Sequence, residues 1–279
     1  GHTNAVWSVA FLPDGEQVIS GSYDRSIRAW RIEDGREVGS AMRDGGAVFV
    51  VAASSDGQWI ASGGSAKTIA MWNAKTHEKL NGHSTGVRSL AFSPDSARIM
   101  SGCNDGTVIV WSTTTGKRLL GPLNGHTSWV QCISFTWNGD KFATCDDRDI
   151  RVWNSHSGKL VIPPIQVDAR SLAWTPNGQL LIAGCGYGSI KFFDPRTGSL
   201  LTEWNGHNNV VMSIAVSPTG KFMASASWDH KIRLWDTATC TQIGPTLQHY
   251  DDVNSVAISP DGSHLAGAGD DNKVRIWSL

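Results

Sequence analysis

No stretch of this sequence is apolar for long enough to cross a bilayer: runs such as Val48 to Ala53 fall far short of the roughly 20 residues a spanning helix needs. The N-terminus lacks the charged-then-apolar pattern of a targeting segment, so no membrane partner is expected. Five cysteines, an odd number without a CxxC pair, make neither a disulfide framework nor a zinc clip. They point to a reducing, intracellular and cytoplasmic setting. Charge is sparse and balanced: 24 basic against 25 acidic side chains, 18% of the chain, leave no net field to draw nucleic acid. Helical periodicity is missing too, since no segment carries an apolar 3.6-residue repeat long enough for a helix. With 40% of 279 residues apolar, a large core can form and disorder is excluded as the main state.

Tryptophan and glycine, 13 and 30 residues respectively, are abundant, and the tryptophans recur. Trp30, Trp72, Trp111, Trp153, Trp235 and Trp277, with Phe193 in the one gap, are spaced by 42, 39, 42, 40, 42 and 42 residues. Seven units therefore fill the chain, at about 1–40, 41–80, 81–121, 122–162, 163–202, 203–244 and 245–279. Each reads as a short alternating segment such as VWSVAF, a turn of the LPDG type, a second segment such as QVISGS, and a third that ends on the aromatic. Lengths of four to seven residues, β-branched content and glycine punctuation make these strands, and a weaker fourth follows each aromatic. Units of this kind cannot bury both sheet faces alone, and stacking them radially around an axis solves the problem. The expectation is one all-β domain over 1–279, a seven-bladed propeller.

The chain resembles the WD-repeat family along its whole length. It carries GH pairs at Gly1-His2, Gly82-His83, Gly125-His126 and Gly206-His207, and WD itself at Trp235-Asp236. His2, His83, His126, His207 and His249 precede their blade aromatic by 28, 28, 27, 28 and 28 residues; Asp24, Asp105, Asp147, Asp229 and Asp271 precede it by six. The resemblance implies that His, Asp and Trp join a strand hydroxyl in a hydrogen-bonded chain inside each blade, the hydroxyls being Ser20, Ser101, Thr144 and Ser225. Units two and five have lost His and Asp together, which is the cheaper outcome where one orphaned partner of a buried pair costs roughly 1–3 kcal/mol. Unit five, with Ala183 and Phe193, should be the least polar inside. Unit seven has Gly267 in place of the hydroxyl, so its chain should be incomplete.

The sequence starts on a first strand and stops two residues after Trp277, on a third. The expectation is a seventh blade of three strands with an exposed edge at Lys273 to Trp277, open to a partner strand, in a fragment of a longer chain. Phrases such as SVAFLPDG and GHTNAVWSV are similar to the C-terminal propellers of fungal NACHT-type signalling proteins, which would make the domain a sensor arm.

Catalysis is disfavoured. The same His, Ser and Asp recur five times at one spacing, whereas a catalytic site is needed once. Cys103, Cys145 and Cys185 recur eight residues before the aromatic, where other units have Ser or Gly, and read as small packing residues. No metal or cofactor is expected. What remains is binding to a protein or peptide. The resemblance assigns to the narrower top face the residues three and five beyond the His and the one before the Asp. The candidates are Trp7, Tyr23, Phe49, Arg88, Asn104, Trp129, Gln131, Asp146, Asp168, Arg170, Met212, Trp228, Asp252, Asn254 and Asp270. Aromatics at this density, ringed by a few charges, suit a partner site. The favoured ligand is a peptide with an apolar anchor and a basic residue.

Overall fold

The computed structural model describes residues 1–73, 77–81 and 83–279, with 77–81 as backbone only; Gly82 of the second GH pair lies outside the described residues. Seven antiparallel sheets follow one another along the chain, spanning residues 6–43, 48–81, 87–123, 132–166, 169–205, 211–248 and 253–278. Six are four-stranded meanders and the last has three strands. The described residues include no helix, and so none able to cross a membrane.

Strand patterns follow from position in the blade. Second strands are almost wholly buried, as in Gln17–Ser22 and Phe222–Ser227, because both sheet faces meet a neighbouring blade. Fourth strands such as Leu200–Asn205 lie at the circumference and are mostly exposed. Inner strands alternate around a fully buried valine, Val6, Val48, Val87, Val211 or Val253, four residues beyond the His position. Each such valine packs where the preceding blade approaches most closely. A Cβ added to Gly21 would lie 2.6 Å from Val48 Cγ1, and one on Gly184 would lie 2.6 Å from Val211 Cγ1. The glycine content of the second strands is therefore a blade-to-blade packing requirement.

A collar of hydroxyls also ties the inner strands together around the axis. Val51 N donates to Ser8 Oγ at 3.1 Å, Ile214 N to Ser171 Oγ at 2.8 Å, and Val256 N to Ser213 Oγ at 3.1 Å. Val9 N likewise donates to Ser255 Oγ at 3.1 Å, joining blade one to blade seven. The strand Val274–Ser278 pairs with His264–Gly269 on one side. Its other edge meets no strand among the described residues, and a cavity of ≈260 Å³ lined by Trp30, Ile32, Val274 and Ile276 lies beside it.

Candidate functional site

Two blades contain the full polar chain. In blade six the Trp235 indole donates to Ser225 Oγ (2.7 Å), Ser225 lies 2.6 Å from His207 Nε2, and His207 Nδ1 is 3.0 Å from Asp229. Blade one repeats this through Trp30, Ser20, His2 and Asp24 at 2.8, 2.7 and 2.9 Å. The donors run in one direction, from indole N–H to hydroxyl to imidazole, and then from Nδ1–H to carboxylate, so a neutral ring fits. Burial holds His2 below its ordinary pKa, partly offset by Asp24. Burial alone would raise Asp24, but hydrogen bonds from Ser26, the Thr3 amide and His2 together bring it well below the usual carboxylate range.

The remaining blades depart from the expected pattern. In blade three, His83 bonds Ser101 at 2.5 Å and Trp111 completes that half at 2.9 Å. Asp105, however, accepts from Ser84 and Thr107, and His83 Nδ1 is buried without a partner. In blade four the expected Asp147 is not the network carboxylate. Asp146, fully buried, accepts from the amides of Thr127, Arg148 and Asp149, as Asp24 does from Thr3 and Ser26 in blade one. His126 Nδ1 faces Asp149 at 3.1 Å and Asp146 at 3.4 Å, while its Nε2 meets Thr144 at 2.6 Å and Trp153 donates to Thr144 at 2.8 Å. The hairpin between hydroxyl and tryptophan is one residue shorter there, and its carboxylate stands seven residues before Trp153, so counting back six falls one residue short. The His126-to-Trp153 spacing of 27 instead of 28 was the available signal. Full burial under the amides of Thr127, Arg148 and Asp149 takes Asp146 out of the top-face candidates.

Blade two retains a shortened chain. Trp72 donates to Ser62 (3.2 Å), and Ser62 donates to Asp44 (2.7 Å), a carboxylate standing where the His would be. Blade five is apolar at these places, with Ala183 and Phe193 buried. In blade seven, His249 Nε2 has no partner opposite Gly267, and Arg275 has entered the chain, 2.7 Å from His249 Nδ1 and paired with Asp271. Trp277 packs edge-on against His249.

On the top face, the seven residues five beyond the His position converge on one cavity of ≈160 Å³ at the mouth of the axial channel. Trp7, Phe49 and Arg88 line one side; Gln131, Arg170, Met212 and Asn254 line the other. Around Arg88 the aromatics form a box: its guanidinium lies 4.2 Å from the Trp129 ring, 4.8 Å from Phe49 and 5.8 Å from Trp7. Tyr23 stands edge-on to both Trp7 and Phe49, at 5.3 and 5.5 Å. Asn104 accepts from Arg88 Nε at 3.0 Å. Trp129 is 45% exposed, so one face of its ring meets solvent.

Asn254, expected on the surface, is buried. It donates to Val6 O and Asp270 and accepts from the Trp228 indole, bridging blades six, seven and one. Asp168 and Arg170 pair with each other at 3.1 Å. Asp252 lies near Asp251 and Asp270, and burial with this like charge raises its pKa, against His230.

Three groups of possible metal ligands also come together across strands: His83, Cys103 and Asp105; His126, Asp146 and Asp149; and His230, Asp251 and Asp252. The atoms of the second group belong to the blade-four chain. Cys145 and Cys185 are buried among core residues, and burial pushes the Cys185 thiol up to about 11, which suits packing better than reactivity. Trp137, 53% exposed, stands at the opposite end of its blade from this mouth.

Comparison with known proteins agrees with this architecture. The family model described as WD domain, G-beta repeat matches residues 1–31, 40–73, 74–112, 117–154, 198–236 and 241–278. The unmatched fifth unit falls partly under the model of the anaphase-promoting complex subunit 4 WD40 domain, at 163–215. The chain is 26% identical over 209 residues to eukaryotic translation initiation factor 3 subunit I of Aspergillus terreus, covering 74% of this chain and 54% of that one. The same subunit of Coccidioides immitis is 24% identical, with 74% and 55% covered. WD repeat-containing protein SL1-17 of Schistosoma mansoni is 32% identical over 91 residues, 32% of this chain and 30% of that one. The chain spans about half the length of the initiation-factor relatives it matches. Seven blades, six of them paced by tryptophan and one by Phe193, and six matched repeats place the chain in the WD-repeat family.

Proposed function

We propose that this propeller is a noncatalytic recognition module that binds a protein or peptide at the top-face mouth, as the scaffold or sensor part of a larger assembly. The observation that carries this reading is the convergence of Trp7, Tyr23, Phe49 and Trp129 around Arg88 beside one cavity. Aromatics and arginine dominate the energetics of protein interfaces, and they do so at desolvated pockets with polar rims. The relatives bear the name of a translation initiation factor subunit, which supports a scaffold role. The relatives reported above are named as translation initiation factor subunits and a WD repeat-containing protein, not as NACHT-type signalling chains, so they support the scaffold role and not the sensor-arm setting.

The test is capture of partners from cell extract by the domain and by Trp129→Ala. With one ring face already in water, this change should leave the melting temperature nearly unmoved while captured partners are lost. Retention of every partner by a folded Trp129→Ala protein sinks the reading.

A second reading has its own observation, the edge of Val274–Ser278 that pairs with no strand among the described residues, beside a cavity lined by Trp30, Ile32, Val274 and Ile276. There the propeller acts as an assembly platform that accepts a partner strand. Partner capture that survives Trp129→Ala but fails on Val274→Pro, which removes a ladder donor, favours the edge.

A further inference from the structure

The mouth of the channel holds hydrogen-bond donors that nothing in the protein satisfies. The Trp7 indole Nε1 and Arg170 Nε are each buried without a partner among the described residues. Arg88 directs its Nε to Asn104 and pairs with no carboxylate among the described residues. Gln131 immediately precedes the inner strand Cys132–Phe135, between the strands of Arg88 and Arg170, and all four side chains border the same ≈160 Å³ cavity.

Orphaned buried donors are uncommon in folded proteins, and each calls for an explanation. A desolvated cation with no counter-ion is also costly. Burial lowers the Arg88 pKa, the direction expected of a guanidinium short of solvent and of anions. Contacts with the Trp129 and Phe49 rings offset part of that cost, but a ring face neutralises no charge.

We infer that the mouth accepts the carboxylate of an acidic residue in a partner peptide. Arg88 meets it with a charge-assisted bond, and Trp7 and Arg170 supply the orphaned donors. Apolar neighbours of that residue lie on the exposed face of Trp129, while Asp252 and Asp270 on the opposite rim address a basic residue further along. A carboxylate is favoured over a phosphate by the charge count. Arg170 is already paired with Asp168, and the blade-seven acids repel a dianion more strongly than a monoanion. This inference rests on the top-face reading proposed above and adds the chemistry of the ligand.

The experiment pans a displayed library of random short peptides on the folded domain, residues 1–279, and then synthesises the strongest binder. Expected is an Asp or Glu beside an apolar residue. Changing that acid to its amide should weaken binding roughly ten-fold or more. Arg88→Gln should weaken the acidic peptide by a similar factor but discriminate little against the amide version, with Arg88→Lys intermediate. The acidic peptide, and not the amide, should shift the Trp7 indole N–H resonance.

Binders without an acid, an acid-to-amide change without effect, or tighter binding of a phosphoserine version overturn the carboxylate inference and leave the top-face reading standing. Peptides whose binding is unmoved by Trp129→Ala overturn the top-face reading itself, as does a library that yields no binder.

Discussion

Blades five and six are neighbours of the same size and topology, and they hold their sheets together by opposite chemistry. Blade six runs a hydrogen-bonded chain from Trp235 through Ser225 and His207 to Asp229. Blade five puts Ala183 and Phe193 at the corresponding places, packed with Leu172, Leu181 and Ile165. Both interiors are buried, so the difference lies in how strongly the members of a set depend on one another. A polar chain is satisfied only when complete, whereas an apolar set tolerates gradual change. Blades three, four and seven each keep an imidazole nitrogen without a hydrogen-bond partner among the described residues, on His83, His126 and His249, and show what an altered chain leaves behind.

The largest expected effect is on pH dependence, because the polar blades carry it and blade five does not. Burial lowers the pKa of His2, His83, His126 and His249, and for His249 burial and then Arg275 bring it to about 4. An unfolded imidazole takes its proton near 6.5, so below that pH the unfolded chain binds more protons than the folded one. The stability due to neutral imidazoles is thus present above pH 6.5 and is lost as pH falls toward the folded values. Each such group contributes up to about 1.4 kcal/mol per pH unit in that window. Denaturant midpoints measured between pH 7 and pH 5 should fall accordingly, and Arg275→Gln should flatten the slope by relieving His249. A midpoint that stays constant over this range contradicts the comparison.

Exchanging chemistries between the two blades should come next in size. Ser225→Ala orphans both the Trp235 indole and His207 Nε2, at roughly 1–3 kcal/mol for each group. The reverse change, Ala183→Ser, inserts one hydroxyl beside Phe193 without a polar partner and should cost about half as much. Equal losses in thermal denaturation would show that the chain in blade six is no more cooperative than the packing in blade five.

The fold was legible because its signal is repetitive: an aromatic every forty or so residues, short β-rich segments punctuated by glycine, and turn residues at fixed offsets. The three-stranded seventh blade could be read the same way. The sites were less legible, for local reasons. Spacing placed Asp147 in the network, but in a reshaped turn it is Asp146, seven residues before Trp153, that turns inward and accepts from the Arg148 and Asp149 amides. Spacing also placed Asp105 opposite His83, yet Ser84 draws that carboxylate away. Asp44 could be seen to replace a histidine, but not that it would accept from Ser62 and keep part of the chain. At the mouth, the candidates five beyond the His were identified one blade at a time. Their meeting around Arg88 depends on distances between blades that no single repeat encodes. The inter-blade hydroxyl collar is visible in retrospect as Ser8, Ser89, Ser171, Ser213 and Ser255, each directly following a mouth residue.

The smallest effect sharpens the comparison through blade seven, which is a polar chain with one member missing. Arg275 donates to His249 Nδ1, so the neutral ring carries its proton on Nε2; Gly267 leaves that N–H without an acceptor, and Gly267→Ser would supply the hydroxyl found in blade six. A Cβ there would sit 3.1 Å from His249 Nε2 but only 2.3 Å from Ile232 Cδ1 of the neighbouring blade. The single change therefore gains a hydrogen bond and incurs a clash, and it should be neutral or slightly destabilising. Ile232→Val removes the offending methyl at about 1 kcal/mol. Adding Gly267→Ser to that background should recover much of the loss, since the hydroxyl oxygen can now accept from an Nε2–H that was buried and unpaired. A double-mutant cycle by denaturant titration reads this directly, with an expected coupling of about 1 kcal/mol in the stabilising direction. Zero coupling would mean that His249 is satisfied by Arg275 and Asp271 alone, and that a polar chain entered by an arginine no longer needs its hydroxyl.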